Sequence, residues 1–302
     1  MRKCLALVII LTMIIPVVAC NGNNSDTERP KSIVVTYSIL GSLVKELVGQ
    51  EAVVTVLIPN GKDPHDWEPS ARDIERVNKA DLIVCNGLNL EVGLEKTIQA
   101  AANRGVNIFT ATDHVTLRHI EEEHEKEADA HDDSGYDPHI WTDPLTMKEA
   151  VLALSGVLTN LFGWDLSTPT ADLVKRLEAL STAIADRLIT IPEAERRLVT
   201  GHESMGYFAS RYDFVIVGMI VPGLSTKADV TAANLAALKK TIQENNIKVI
   251  FSEIGTSAAT AKKIGEETGV KVMELNTHTL PPDGSYFTYV NNLAEVIISA
   301  YK

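Results

Sequence analysis

Two copies of the phrase Asp-Pro-His-x-Trp, at residues 63–67 and 137–141, carry the side chains best suited to chemistry in this sequence. A second acid–proline pair follows each copy, Glu68-Pro69 in one case and Asp143-Pro144 in the other. Proline fixes its own φ and favours an extended conformation in the residue before it, so each phrase is predicted to form a rigid turn. Each turn presents an imidazole with an indole nearby to exclude water. Two imidazoles presented in this way predict a metal site.

A third imidazole is available from His202, in the segment Thr200-Gly201-His202-Glu203, and a fourth ligand position could be filled by His278, Glu253 or water. Imidazole nitrogen suits zinc, whereas oxygen-rich sites suit manganese or magnesium. Acidic side chains near these histidines could accept the second ring N–H and fix the tautomer. The candidates for that role are Asp63, Asp66, Asp137, Asp143 and Glu203.

The elements that must position these residues alternate between short β-branched runs and helical patterns, which predicts an α/β fold with parallel sheets covered by helices. The first set comprises strands at 33–36, 53–58, 82–85 and 106–109 and helices at 40–48, 71–78 and 90–103. The second comprises strands at 198–200, 214–219, 249–252 and 270–274 and helices at 205–211, 232–245 and 258–268. Ligands of open parallel sheets bind beyond the carboxyl ends of the strands. His65, His202, Glu253 and His278 all follow or end predicted strands, so we expect them at that edge.

One long amphipathic helix separates the two sets. Its apolar positions recur every three or four residues, and they are Leu173, Leu177, Leu180, Ile184 and Leu188. We expect Thr168 or Thr170 to cap its start and Pro192 to mark its end. The predicted organisation is an N-terminal lobe at 32–166, a linking helix at 167–192 and a C-terminal lobe at 193–302. A single large α/β domain is the alternative, and a stiff link between lobes predicts a small motion.

The N-terminus reads as an export signal, with basic residues followed by an apolar stretch too short to span a bilayer comfortably. Val17-Val18-Ala19-Cys20 resembles the lipobox of bacterial lipoproteins, which implies a signal peptide at 1–19 and lipid modification of Cys20. Residues 20–31 then form a polar tether, and an ordinary secretory signal is the alternative. Of the other cysteines, Cys4 lies in the signal and Cys85 is expected to be a buried free thiol. We therefore expect an extracytoplasmic protein attached to the membrane through its lipid.

Residues 119–137 contain nine acids, three histidines and a single lysine, without apolar periodicity. Such a segment cannot bury a core, so we expect a loop. Its histidines, His119, His124 and His131, could collect divalent cations from solution. A solvated, charged insertion is the alternative. The net charge of −12 argues against a nucleic-acid partner.

Four segments carry a resemblance to the zinc- and manganese-specific substrate-binding lipoproteins of bacterial ABC importers: 61–69, 137–144, 200–208 and 251–253. The resemblance covers nearly the whole mature chain. It implies two β/α lobes joined by one long helix, metal in the interlobe cleft, and delivery to a membrane permease with its ATPase subunit. We expect the binding protein itself to be a monomer.

This sequence departs from the family pattern in places. The family often has Asp-Ser-Leu at the fourth ligand, where this chain has His278-Thr279-Leu280. Replacing an oxygen ligand by imidazole favours zinc, as does histidine rather than glutamate at position 202, and the histidine-rich loop resembles that of zinc-specific members. Manganese is the alternative metal. The turn at 281–286 also differs, and residues 226–231 lack the family's Glu-Pro-Ser run.

Two functions of other classes deserve comparison with metal capture. A zinc hydrolase also holds its metal with three histidines and an open position, but the H-E-x-x-H signature is missing from the sequence. A serine nucleophile elbow at Ser204 would need glycine where His202 stands. An adhesin is the other alternative, and no feature of the sequence speaks for or against it. We expect a binding protein and not an enzyme.

Overall fold

The computed structural model describes residues 29–120 and 135–302, which form an α/β fold with parallel strands. The first sheet has four strands in the order β2-β1-β3-β4, and all neighbouring pairs are parallel. These strands are β1 (Lys31–Tyr37), β2 (Ala52–Ile58), β3 (Leu82–Cys85) and β4 (Asn107–Thr110). The central strands β1 and β3 are apolar and almost fully buried, as expected for a sheet covered on both faces. Cys85 is a buried free thiol, as predicted.

Two of the four helices of this half start at a capping side chain. They are α1 (Ser38–Val48), α2 (Ala71–Asn78), α3 (Glu95–Ala102) and α4 (Pro144–Phe162). Ser70 and Asp73 form a capping box at the start of α2. The Asp143 carboxylate accepts hydrogen bonds from the N–H groups of Leu145 and Thr146 at the start of α4. Each acid–proline pair that follows a histidine phrase therefore leads directly into a helix.

The predicted helix at 90–103 is wrong in its first part. The chain instead makes a 3-10 turn at Val92–Leu94 before α3 begins. The buried Glu91 carboxylate accepts hydrogen bonds from the backbone N–H groups of Asn86, at 2.7 Å, and Gly87, at 3.3 Å. These bonds close a tight turn, in which Leu88 and Asn89 adopt positive φ, and a helix cannot start inside it.

The second half contains two parallel strand pairs, β5-β6 and β7-β8, with β5 lying beside β7. The strands are β5 (Arg197–Thr200), β6 (Val215–Met219), β7 (Val249–Ser252) and β8 (Lys271–Glu274). The helices are α6 (Gly206–Arg211), α7 (Ala232–Glu244), α8 (Ala258–Thr268) and α9 (Tyr286–Ala300). The predicted strands and helices of this half agree with these bounds to within one residue.

The linking helix, α5, runs from Ser167 to Leu188 and packs against α1, α4 and α9. All five apolar residues of its predicted stripe are buried. The predicted threonine caps are wrong, because the helix starts after Leu166 with no side-chain cap. The Ser167 N–H instead donates to Asp165, and the Thr170 hydroxyl is paired with Ser155 of α4. Pro192 lies beyond the end of the helix, as expected.

Two long helices, α4 and α9, are absent from the sequence prediction, and both belong to the core. Alone among the described helices, α4 is long and apolar enough to cross a membrane by length and composition. Its apolar stripe, which includes Met147, Val151 and Leu154, is nevertheless buried in the protein core. That core is continuous from Ile33 of the first sheet to Phe251 of the second half. A wide separation of the two halves would therefore expose apolar surface to water.

Candidate metal centre

Four histidines from separate segments converge at one point: His65, His139, His202 and His278. All four are buried, and one ligand atom from each lies within 4.8 Å of all the others. The Nε2 atom of His139 is 3.2 Å from Nε2 of His65 and 3.2 Å from Nε2 of His202. A tetrahedral zinc ion with Zn–N bonds of about 2.0–2.1 Å sets its nitrogens roughly 3.3 Å apart. The cluster is therefore of the right size and donor type for one tetrahedral cation.

The elements around the cluster explain its assembly. His65 follows β2, His202 follows β5 and His278 follows β8, so three imidazoles come from carboxyl ends of parallel strands. His139 instead comes from the turn that precedes α4. Each half of the fold contributes two histidines, and the cluster lies between the two halves.

Three of the four histidines in the cluster favour the neutral imidazole. Burial lowers the pKa values of His65, His139 and His278 well below the ordinary histidine value, and neighbouring histidines lower each of them further. A neutral imidazole is the form that binds a metal, because its lone pair is free. These three imidazoles are therefore in the protonation state that can bind a cation.

Asp137 is the outer partner of His139. Its Oδ1 atom lies 2.8 Å from Nδ1 of His139, and the carboxyl group is fully buried. Burial raises the pKa of Asp137 to about 6, although Arg118 opposes the shift. The Arg118 guanidinium lies 3.1 Å from Asp137 Oδ2 and 3.2 Å from Glu203 Oε1. A Cβ atom at Gly206 would collide with the Arg118–Asp137 pair, so glycine leaves room for it.

Glu253 is not at the point of convergence, in contrast to its expected place as an alternative fourth ligand. Its carboxylate lies behind His202, with Oε2 3.1 Å from Nδ1 of that ring. Oε1 accepts a hydrogen bond from the Gly201 N–H at 2.8 Å, and Oε2 accepts one from the Ser204 hydroxyl at 2.6 Å. Burial would raise the pKa of Glu253, but His202 and these hydrogen bonds outweigh burial and lower it. The fourth imidazole of the cluster is His278.

The remaining acids predicted to orient the rings have other partners. Asp63 accepts a hydrogen bond from the His65 backbone N–H and another from the Thr226 hydroxyl. Asp66 pairs with Lys227, Asp143 with Arg211, and Glu203 with Arg118. Nδ1 of His65 has no hydrogen-bond partner within the part of the chain that the structure describes. Of the five predicted acids, only Asp137 reaches a ring nitrogen of the cluster.

The two tryptophans of the repeated phrase differ in burial and in their contacts with the cluster. Trp141 is buried, with its ring centroid 5.2 Å from that of His139 and 5.4 Å from that of His278. Trp67 is half-buried and makes no ring contact with His65 among the described residues. The expected indole shield is present in the second copy only.

The other predicted site residues are not part of the cluster. His119 pairs with Tyr136 in an antiparallel bridge at the base of the 119–137 segment. His124, His131 and Cys20 lie outside the described residues. Sequence reasoning missed Arg118, Thr226 and Thr277, which contact residues of the site without belonging to a motif; only the proximity of Thr277 to His278 in the sequence hinted at a role.

Fold and site together define a class of α/β metal-binding protein, with a buried cluster of histidines between two lobes joined by a long helix. The chain belongs to the ZnuA family, described as zinc-uptake complex component A, periplasmic, which matches residues 33–300. The zinc-binding lipoprotein AdcA of Streptococcus pneumoniae serotype 4 is 30% identical over 266 residues, which are 86% of this chain and 52% of the relative. This chain thus spans about half the length of that relative.

Two other relatives extend the comparison. The manganese ABC transporter substrate-binding lipoprotein scaA of Streptococcus gordonii is 24% identical over 286 residues, covering 90% of this chain and 88% of the relative. The structure of the periplasmic zinc-binding protein TroA from Treponema pallidum superposes with a TM-score of 0.79 at 22% identity, over 90% of this chain and 99% of that one. The fold is therefore shared along nearly the full length, whereas the metal named differs among relatives.

Proposed function

We propose that the protein captures zinc outside the cytoplasm and delivers it to the permease of an ABC importer. The observation that carries this proposal is the convergence of four buried imidazoles from both halves of the fold. The ligands would be His65, His139, His202 and His278, with zinc as the transported cargo. The names of the relatives support the class, since AdcA is a zinc-binding lipoprotein and scaA serves a manganese ABC transporter.

The choice of zinc over manganese rests on the donor atoms. The cluster consists of nitrogen donors alone, and its two nearest carboxylates, Asp137 and Glu253, lie behind the rings of His139 and His202. Manganese prefers oxygen ligands and six-fold coordination, whereas zinc accepts four imidazoles in a tetrahedron. Copper would bind more tightly by intrinsic affinity, so selection against it must come from geometry and supply.

Several further parts of the proposal concern the location and the partners of the protein. Lipid modification at Cys20 and the tether at 20–31 would hold a monomer at the outer face of the cell membrane. There it would be within reach of the permease and its ATPase. The lobes would be 32–166 and 193–302, with 167–192 as the link. The loop histidines, His119, His124 and His131, would collect zinc before it enters the site.

The site supports binding rather than catalysis. Catalytic zinc keeps an open position for water or substrate beside three protein ligands. In the proposed site the fourth position would be taken by His278, whose imidazole lies in the cluster. The family is one of uptake components, which agrees with a protein that releases its cargo unchanged.

The test is the metal content of protein that begins after Cys20, measured by mass spectrometry and followed by competition of zinc against manganese. We expect one tightly held zinc per chain. A four-ligand zinc site contributes roughly 10–16 kcal/mol, so His139→Ala should weaken zinc binding by at least about a hundredfold. His114→Ala is the matched control, because His114 stacks on Phe109 outside the cluster.

Deletion of residues 121–133 should weaken zinc binding far less than His139→Ala. A larger loss from the deletion would show that the ligand assignment is wrong. Tight manganese with weak zinc would retain the importer class but overturn the metal. The absence of any stoichiometric metal would overturn the proposed function.

A further inference from the structure

The hydroxyl group of Thr277 lies between Glu253 and His278. Thr277 Oγ1 is 2.9 Å from Oε2 of Glu253 and 2.8 Å from Nδ1 of His278. The Thr277 side chain is fully buried, so water does not compete for either contact. These three groups form a short hydrogen-bonded chain that ends at one imidazole of the cluster.

The direction of this chain follows from the number of protons available. The Glu253 carboxylate accepts hydrogen bonds from the Gly201 N–H at Oε1 and from the Ser204 hydroxyl at Oε2, and the contact from Thr277 Oγ1 to Oε2 has the geometry of a third donated bond. Thr277 must therefore donate its one hydroxyl proton to Glu253. Its oxygen is then an acceptor, so Nδ1 of His278 must carry the ring proton. Nε2 of His278 then holds a lone pair, and this atom has no hydrogen-bond partner among the described residues.

The position of Thr277 is set by contacts that do not involve its side chain. Its carbonyl oxygen accepts hydrogen bonds from the Trp141 indole N–H, at 2.8 Å, and from the Tyr289 hydroxyl, at 2.6 Å. The backbone at 277 is thus held from two sides, independently of the hydroxyl group. A substitution that removes only the hydroxyl should leave this anchoring in place.

We propose that Thr277 is a positioning residue that relays Glu253 to His278 and fixes the tautomer in which Nε2 faces the metal. Glu253 thereby lies behind two of the four imidazoles, 3.1 Å from Nδ1 of His202 and linked to His278 through Thr277. The tautomer itself does not depend on metal, whereas the consequence for zinc affinity rests on the proposed function. The arrangement places a carboxylate one layer outside the site, where it can offset the charge of a dication without acting as a ligand.

The test compares Thr277→Val, which removes the hydroxyl at nearly constant volume, with Thr277→Ser, which retains it. Thr279→Val is the matched control, because the Thr279 hydroxyl makes no hydrogen bond to the described residues. Nitrogen-15 NMR of histidine-labelled, metal-free protein at neutral pH reports the tautomer, with the His278 signals identified by their loss in His278→Ala. Titration of zinc against a competing chelator then gives the affinity of each variant.

We expect the wild-type protein, Thr277→Ser and Thr279→Val to show His278 protonated at Nδ1. Thr277→Val should shift His278 towards protonation at Nε2 and weaken zinc binding by about 10- to 100-fold, the usual effect of losing an outer partner of a ligand. Near wild-type zinc affinity in Thr277→Ser would assign the loss to the hydroxyl rather than to packing.

His278 protonated at Nε2 in the wild-type protein would overturn the relay before any variant is compared. An unchanged tautomer and zinc affinity in Thr277→Val would also overturn it while leaving the proposed function intact. The expected tautomers in a protein that holds no zinc would support the relay and reject the proposed function. The two proposals can therefore fail independently.

Discussion

The two copies of Asp-Pro-His-x-Trp form the same local turn but lie in different surroundings. In both copies the aspartate Oδ1 accepts a hydrogen bond from the histidine backbone N–H, at 3.0 Å for the Asp63 copy and 2.9 Å for the Asp137 copy. Beyond that bond they diverge. The second copy also uses its aspartate to hold the imidazole, since Asp137 reaches Nδ1 of His139. In the first copy, Nδ1 of His65 has no partner in the described parts of the chain.

The surroundings explain this difference. Asp137 and Trp141 of the second copy are buried and tied to Arg118 and Thr277 respectively. The first copy is held at its rim by the opposite half, through the contacts Thr226–Asp63 and Lys227–Asp66. One turn is therefore built into the core, and the other is held by contacts between the halves. We infer that the second copy keeps its geometry without metal, whereas the first copy can move when metal enters or leaves.

The largest expected effect is a loss of folding stability in the metal-free protein as the pH falls. The pKa values of His65, His139 and His278 are lowered in the folded state. Below about pH 6.5 the unfolded chain thus takes up protons that the folded state does not, and stability falls. Each histidine contributes up to roughly 1.4 kcal/mol per pH unit. Urea unfolding of the metal-free protein at pH 7, 6 and 5 should therefore show a loss of several kcal/mol.

Asp137 acts in the opposite sense, because its folded-state pKa is raised to about 6. Below pH 6 the folded state takes up this proton more readily than the unfolded chain does, so stability is partly retained. Asp137→Asn removes that compensation and should make the decline below pH 6 steeper than in the wild-type protein. An equal or shallower decline would contradict the assignment of the raised pKa to Asp137.

The next largest expected effect is a difference in zinc affinity between variants of Asp137 and Asp63. Asp137→Asn should weaken zinc binding by about 10- to 100-fold, because it alters the acceptor that orients His139. Asp63→Asn should have a much smaller effect, since Asp63 contacts the His65 backbone and Thr226 rather than an imidazole. Chelator competition at pH 7.5 measures both. Equal losses in the two variants would remove the distinction between the copies.

The tryptophans should differ in stability. Trp141→Phe removes the buried indole N–H bond to the Thr277 carbonyl and leaves a void, at a cost of about 1–3 kcal/mol. Trp67→Phe should cost less than about 1 kcal/mol, because the Trp67 side chain is only half-buried. Denaturant unfolding of the metal-free variants provides the comparison. A larger loss for Trp67→Phe would contradict the view that the second copy is the more firmly built.

The smallest effect concerns the contact that holds the first copy. Thr226→Val removes the 2.6 Å hydrogen bond to Asp63, which is worth roughly 1 kcal/mol. We expect zinc to dissociate about fivefold faster, as followed by stopped-flow mixing with a chelator, and Thr226→Ser to restore the slower rate. Unchanged dissociation would show that this contact between the halves does not retain the metal.

Patterns among neighbouring residues were sufficient to predict many strands, helices and turns of this protein. The β-branched runs, the stripe along α5 and the rigid turns at both histidine phrases depend on residues close in sequence, and the structure contains all of them. The histidines at 65, 139 and 202 stand in motifs, so their selection did not need a structure. The helices α4 and α9 were missed, although both carry local signals: Asp143 caps the start of α4, Gly163 ends it, and Ser285 caps the start of α9.

Only the tertiary structure decided which groups surround each imidazole. The same five-residue phrase meets Arg118 and Thr277 in one place and Thr226 and Lys227 in the other, and these partners lie far away in sequence. Likewise, the sequence left the fourth position open to His278, to Glu253 as an alternative, or to water, and packing of Glu253 against Gly201 placed the carboxylate behind His202. Turn geometry is a property of neighbouring residues and can be read from them. Burial, tautomer and charge environment arise from segments brought together by folding, so the chain order does not reveal them.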